Sequence, residues 1–163
     1  TPMSAASILF GKLLSVLLTL LLIMLATLPG YVVMIWIHPP LRWQVWQVLI
    51  CLGWMALFAM LLSAAVSSLC RRTAVATTIS YALLGVICVG TMLVWLGAGT
   101  SFGHGIVESV LQVNPMAAAL TIIEAPGFTS YHLVPANWWW MGGMCLLCSF
   151  VVLVQTWRLT RPQ

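Results

Sequence analysis

"LLSVLLTLLLIMLATLPGYVVMIWI" (residues 13–37) carries no charged side chain and ends against His38-Pro39-Pro40. An α-helix needs about 20 apolar residues to cross the hydrocarbon core of a bilayer. The run is long enough to span, and too long for the apolar core of a secretory leader. Pro29 removes one backbone hydrogen bond and permits a kink, which membrane helices tolerate. A residue before proline avoids the α region, so His38 ends the helix.

The same test applied outward finds three more spans, at residues 43–69, 73–96 and 138–157. Tight turns at residues 38–42 and at "LCRRT" (69–73) join the first three. A long segment, residues 97–137, separates the third from the fourth. The sequence predicts an all-α polytopic membrane helix bundle, one transmembrane domain over residues 1–163. Composition agrees: 63% of residues are hydrophobic and 5% charged, with mean hydropathy +1.11. Soluble domains carry about 25% charged residues, so lipid must be the main solvent here. The net charge of +4 comes from a few placed cations rather than a basic face, which excludes nucleic acid as a partner class.

Those cations orient the bundle. With the N-terminus cytoplasmic, Lys12, Arg71, Arg72, Arg158 and Arg161 fall inside and only Arg42 falls outside. Trp43, Trp46 and Trp138-Trp139-Trp140 then sit at the outer interface, where indole rings concentrate, and Trp157 marks the inner end of the last span. Both termini are expected in the cytoplasm of a bacterial cell, with the spans in its inner membrane.

Residues 1–12, "TPMSAASILFGK", therefore lie at the cytoplasmic membrane surface. Thr1 suits an N-cap and Pro2 the first helical position. Met3, Ala6 and Phe10 share one helical face with Leu13, while Ser4, Ser7 and Gly11 share the other. The pattern predicts a short interfacial helix. Lipid-binding helices are rich in Lys and Arg; this small, uncharged, hydroxylated face suits close contact with another protein. With no initiator Met and no basic leader before the first span, the chain is expected to be part of a longer protein.

The outer segment contains two short apolar helices, "IVESVLQV" (106–113) and "MAAALTIIEA" (116–125), with Asn114-Pro115 as N-cap and first residue of the second. Pro126-Gly127 stops it. Each is too short to span and too apolar for open water, so re-entrant or interfacial placement is predicted. Glu124 would be functional inside the membrane, but beside Pro126-Gly127 it reads as a solvated surface acid.

Little catalytic chemistry is available. The histidines, His38, His104 and His132, fall in outer turns or loops, so paired haem ligation within the bundle is not expected. No HExxH, carboxylate pair or nucleophile elbow occurs, and no metal site is predicted. Cys145 and Cys148 form a CxxC on an apolar span, which reads as packing. Ser63, Ser67, Thr77, Thr78 and Ser80 read as helix-packing residues. With no GxxxxGK[ST] loop, the chain carries no ATPase motif of that kind.

Several motifs in order resemble a known family. A "TPMS…ILFGK" start lies at the foot of a span; "ATLPGYV" (26–32) closes that span; "SSLCRRTA" (67–74) links the next two; an Asn-Pro helix fills the outer segment; and a last span ends in basic residues. This is similar to the C-terminal two-thirds of an ABC-2-type permease, the membrane subunit of an ABC transporter. The resemblance implies two further spans upstream and identifies the first helix with the family's coupling helix, through Thr1, Pro2, Met3, Ser4, Ala5 and Ser7. Arg71 and Arg72 anchor the topology and offer a second cytoplasmic contact. Asn114, Pro115 and Glu124 fall in the family's outer re-entrant helices. The implied partners are a separate ABC ATPase subunit, which would hold ATP and Mg, and a second permease subunit, as homo- or heterodimer. The implied activity is export by alternating access. Two other readings compete: a non-transporting membrane scaffold, which predicts no ATPase partner, and an intramembrane redox enzyme, which predicts a bound chromophore.

Overall fold

A computed structural model describes residues 5–70, 72–98 and 102–160, and among these the chain is helical, with one isolated bridge between Ala98 and Phe102. Helix α1 spans Ala5–Ile37, passes through Pro29, and gives way to a 3₁₀ turn at Pro39–Leu41. Helix α2 spans Arg42–Leu69. Helix α3 covers Thr73–Gly85, and a π-helical turn at Val86–Gly90 carries it into α4, Thr91–Leu96. Two short helices follow, α5 at His104–Leu111 and α6 at Pro115–Ile122, and α7 closes the chain at Ala136–Thr160. Four stretches are long and apolar enough to cross a membrane: Leu14–Ile37, Pro39–Leu69, Thr73–Leu96 and Ala136–Arg158. The protein is an all-α polytopic membrane bundle.

One boundary differs from the sequence reading. Residues 5–12 continue the first span as a single helix, with no turn separating an interfacial helix from it. The physical reason is local: Gly11 is the only helix-weakening residue there, at about 1 kcal/mol, and no proline interrupts the run before Pro29. Thr1, Pro2, Met3 and Ser4 lie outside the described residues.

Helix α2 is the centre of the bundle, in contact with α1, α3, α6 and α7. Its buried residues Cys51, Phe58 and Ala65 recur every seventh position. On α7 the buried residues Met141, Cys145, Cys148 and Val152 alternate steps of four and three. Those are the spacings of a coiled-coil-like seam, and Phe58 and Ala65 of α2 form one buried cluster with those four residues of α7. Cys145 and Cys148 are free, buried thiols within it, so their CxxC spacing is a packing stripe. Gly142 lets the Trp54 ring approach: a Cβ built there would lie 3.7 Å from the indole.

The seam also fixes direction. Trp138 meets Cys51, and Gly142 meets Trp54, so residue numbers rise together and α2 and α7 run parallel. The α3–α4 span returns antiparallel to α2 through the tight turn at Cys70 and Arg72. The end of α4 and the start of α7 therefore lie at the same end of the bundle, and residues 97–135 enter and leave there. Trp43 and Trp139, exposed at the starts of α2 and α7, mark that end, and Trp157 the other.

Helix α1 is peripheral: no part of its most apolar window is buried within the protein. With lipid as solvent this carries no hydrophobic penalty, because hydrocarbon is as apolar as leucine.

Filling the seam should separate packing from composition. Gly142→Leu is expected to cost about 1–3 kcal/mol by overpacking Trp54, whereas Gly143→Leu, whose position has nothing within 4 Å, should leave the thermal unfolding of purified protein near wild type.

Candidate functional site

Where the segment between α4 and α7 meets the spans, backbone leaves regular helix twice. The π turn at Val86–Gly90 shifts the α3–α4 hydrogen-bond ladder, and residues 112–114 separate α5 from α6. Non-helical backbone at membrane depth is tolerated only where protein groups satisfy it. Two buried asparagines do so.

Asn114 is fully buried and uses all four of its hydrogen-bonding positions. Its Oδ1 accepts from the Met116 amide at 2.8 Å and the Ala117 amide at 3.4 Å, capping α6. Its Nδ2 donates to the Cys88 carbonyl in the π turn and to Thr91 Oγ1, each at 2.8 Å. Thr91 in turn donates to the Ile87 carbonyl at 2.6 Å. One side chain thus starts α6 and ties it to the π turn. Pro115 follows at the first helical position, buried, where its missing N–H costs nothing. Asn137, also fully buried, donates from Nδ2 to the Gln112 carbonyl at 2.7 Å and so joins α7 to the α5–α6 break. Its Oδ1 has no protein partner.

Helices α5 and α6 meet at a bend of 108°, more than a right angle, so the pair doubles back. Its apolar faces, including Val107, Leu111, Ala117, Ala118 and Ile122, form one core with Cys51 of α2 and with Phe128, Tyr131 and Leu133 of the following loop. Aromatic contacts fasten that loop: Trp95 stacks on Phe128 at 4.8 Å and donates to the Gly127 carbonyl at 3.4 Å. His104 stacks on Tyr131 at 4.6 Å and stands 3.8 Å from Glu108. Gly127 has φ +88°, and a Cβ there would lie 2.7 Å from Trp95, so glycine is required twice over.

Glu124 is exposed at the far end of α6, with φ 55°. Its amide donates to the Thr121 carbonyl and the Ala125 amide to the Leu120 carbonyl, the paired bonds of a Schellman cap. Glutamate occupies the left-handed position where glycine is usual, at a cost of about 1–2 kcal/mol.

The sequence-derived positions therefore fall into separate places. Asn114, Pro115 and Glu124 share α6, the first two at its buried start and the acid at its exposed end. Arg72 is exposed at the other end of the bundle, where it precedes α3; Arg71 lies outside the described residues. Ala5 and Ser7 belong to the backbone of α1, and their side chains are outside what is described. The sequence reading missed Cys88, Thr91 and Asn137. The signal for Asn137 was present: an amide beside "WWW" in an apolar stretch needs a partner. The π turn has no such signature. Among the described residues, no three His, Cys, Asp or Glu side chains gather as a metal site would require.

Comparisons with protein-family models, with curated proteins and with solved structures find no match to this chain.

Opposite outcomes are expected at the two ends of α6. Asn114→Ala removes the cap, about 1 kcal/mol, and strands the Cys88 carbonyl, about 1–3 kcal/mol more. Hydrogen exchange of residues 104–122 should accelerate and the melting temperature fall. Glu124→Gly should relieve backbone strain and raise the melting temperature.

Proposed function

We propose that this chain is the membrane-spanning permease subunit of an ATP-driven ABC transporter of the ABC-2 type, an exporter working by alternating access. The observation that carries the reading is the paired short helices α5 and α6, bent back on themselves and packed against the bundle immediately before the last span. That is where the family pattern expects outer re-entrant helices. We take the pair to re-enter the outer leaflet. The sequence bias of Lys and Arg, with five of six at the ends of spans taken as cytoplasmic and Arg72 and Arg158 exposed at the end opposite the pair, supports cytoplasmic termini and an inner-membrane location.

In this reading ATP and Mg are held by a separate ATPase subunit, and a second permease subunit completes the pathway. Closure of the ATPase pair moves the foot of α1 and shifts the spans between inward- and outward-facing states. ATP can drive that shift only by as much as the partner's contacts differ between the two states. Residues Thr1, Pro2, Met3, Ser4, Ala5 and Ser7 form the contact, with Arg71 and Arg72 beside it. Continuity of α1 from Ala5 into the span supports a mechanical link, since a displacement of its foot is carried along one helix.

The test uses the full-length permease with its co-purifying ATPase. Ser4→Arg and Ser7→Glu should each lower permease-stimulated ATP hydrolysis, by a factor in the range of about 5–150 expected for coupling free energies of 1–3 kcal/mol. Unchanged partner binding and unchanged stimulation in both variants would contradict the assignment.

A further inference from the structure

Between α1, α2 and α3, in the half of the bundle away from the asparagine junction, lies a cleft of about 400 Å³. Sequence reasoning assigns its hydroxyl residues to helix packing, yet the helices do not close on them. The two antiparallel helices order its lining by depth from the turn at Cys70 and Arg72. Ser67, Thr73 and Thr77 come first. Ser63, Ser80 and Tyr81 follow, and Ala59, Met60 and Leu84 form the deep end. The wall from α1 is apolar, Val16 and Leu20. Apart from Ala76, which lies among the mouth residues of α3, the α2 and α3 lining is hydroxyl-bearing toward the mouth and apolar at the floor.

The hydroxyls divide into two kinds. Thr77 and Ser80 donate to the Thr73 and Ala76 carbonyls of their own helix, each at 2.9 Å, and present only lone pairs to the cleft. Ser63, Ser67 and Tyr81 have no hydrogen-bond partner among the described residues. Uncommitted hydroxyls at membrane depth are costly unless a polar group meets them. Arg72, next in sequence to the lining residue Thr73, is exposed and provides no side-chain cap for α3, so the first amides of that helix have no side-chain capping acceptor. Among the described residues no carboxylate competes for the guanidinium: Glu108 on α5 and Glu124 after α6 lie at the opposite end.

We propose that this cleft binds an anionic phospholipid from the leaflet at the Arg72 end. The phosphate sits between Arg72 and the first turn of α3. Ester oxygens accept from Ser67 and Ser63, and one acyl chain runs over Ala59, Met60 and Leu84. Positive charge at the mouth, donors at ester depth and an apolar floor match the order of groups along such a lipid. A zwitterionic lipid would present its own cation to Arg72. The site stands independently of any transport activity.

Native mass spectrometry of the full chain released from detergent tests it, with phosphatidylglycerol, phosphatidylcholine and soluble glycerol 3-phosphate as probes. Wild type should retain phosphatidylglycerol at least about tenfold better than phosphatidylcholine, and Arg72→Ala should cut that preference about fivefold. Thr77→Leu, which fills the cleft, should abolish the preference; Ser67→Leu, nearer the mouth and exposed, serves if Thr77→Leu does not fold. Glycerol 3-phosphate should not displace the lipid. Equal retention of both lipids by wild type, undiminished preference in a folded cleft-filling variant, or displacement by glycerol 3-phosphate would each overturn the proposal.

Discussion

The structure depends on one constraint: inside a membrane there is no water to satisfy a backbone group that helix geometry has released. The chain breaks its helices at residues 86–90 and 112–114, and at each break an asparagine side chain supplies what water would have supplied elsewhere. Asn114 takes the Cys88 carbonyl of the π turn, and Asn137 takes the Gln112 carbonyl at the α5–α6 break. The same Asn114 starts α6, so the local cap and the long-range tie are one residue. Without these bonds the α5–α6 junction would bury further polar groups with no partner.

From that junction the division of labour in the bundle follows. The α2–α7 seam is packed by shape, with small groups and sulfur between aromatic rings, because apolar transfer gives no driving force between helices in lipid. The lobe built on α5 and α6 is fixed by directional bonds and ring stacking. In the opposite half, among the described residues, the helices part around hydroxyls between α1, α2 and α3.

Much of this was legible in the sequence. The four spans could be read within a few residues, because uninterrupted apolar length is an unambiguous signal and His38-Pro39-Pro40 and "LCRRT" punctuate it. Asn114-Pro115 announced the start of α6, since both residues have local reasons to be there. What was not legible depended on distance in sequence or on absence of a breaker. Nothing in "VICVG" marks a π turn, because the released carbonyl is stabilised by a residue 26 positions away. The expected separation of an interfacial helix from the first span was a boundary placed on periodicity alone, where no residue could break the helix. The serines and threonines of α2 and α3 read as packing because sequence shows which faces meet but not whether they close.

The central claim is that residues 97–135 enter and leave on one side of the membrane, with the α5–α6 pair doubled back rather than crossing. Its most direct test is labelling of single cysteines at Gly103 and Thr129, in a variant whose five native cysteines are replaced by alanine, with a membrane-impermeant maleimide applied to sealed, oriented vesicles. The structure predicts that Gly103→Cys and Thr129→Cys react from the same side. Reaction from opposite sides would make the pair a fifth crossing and contradict the account.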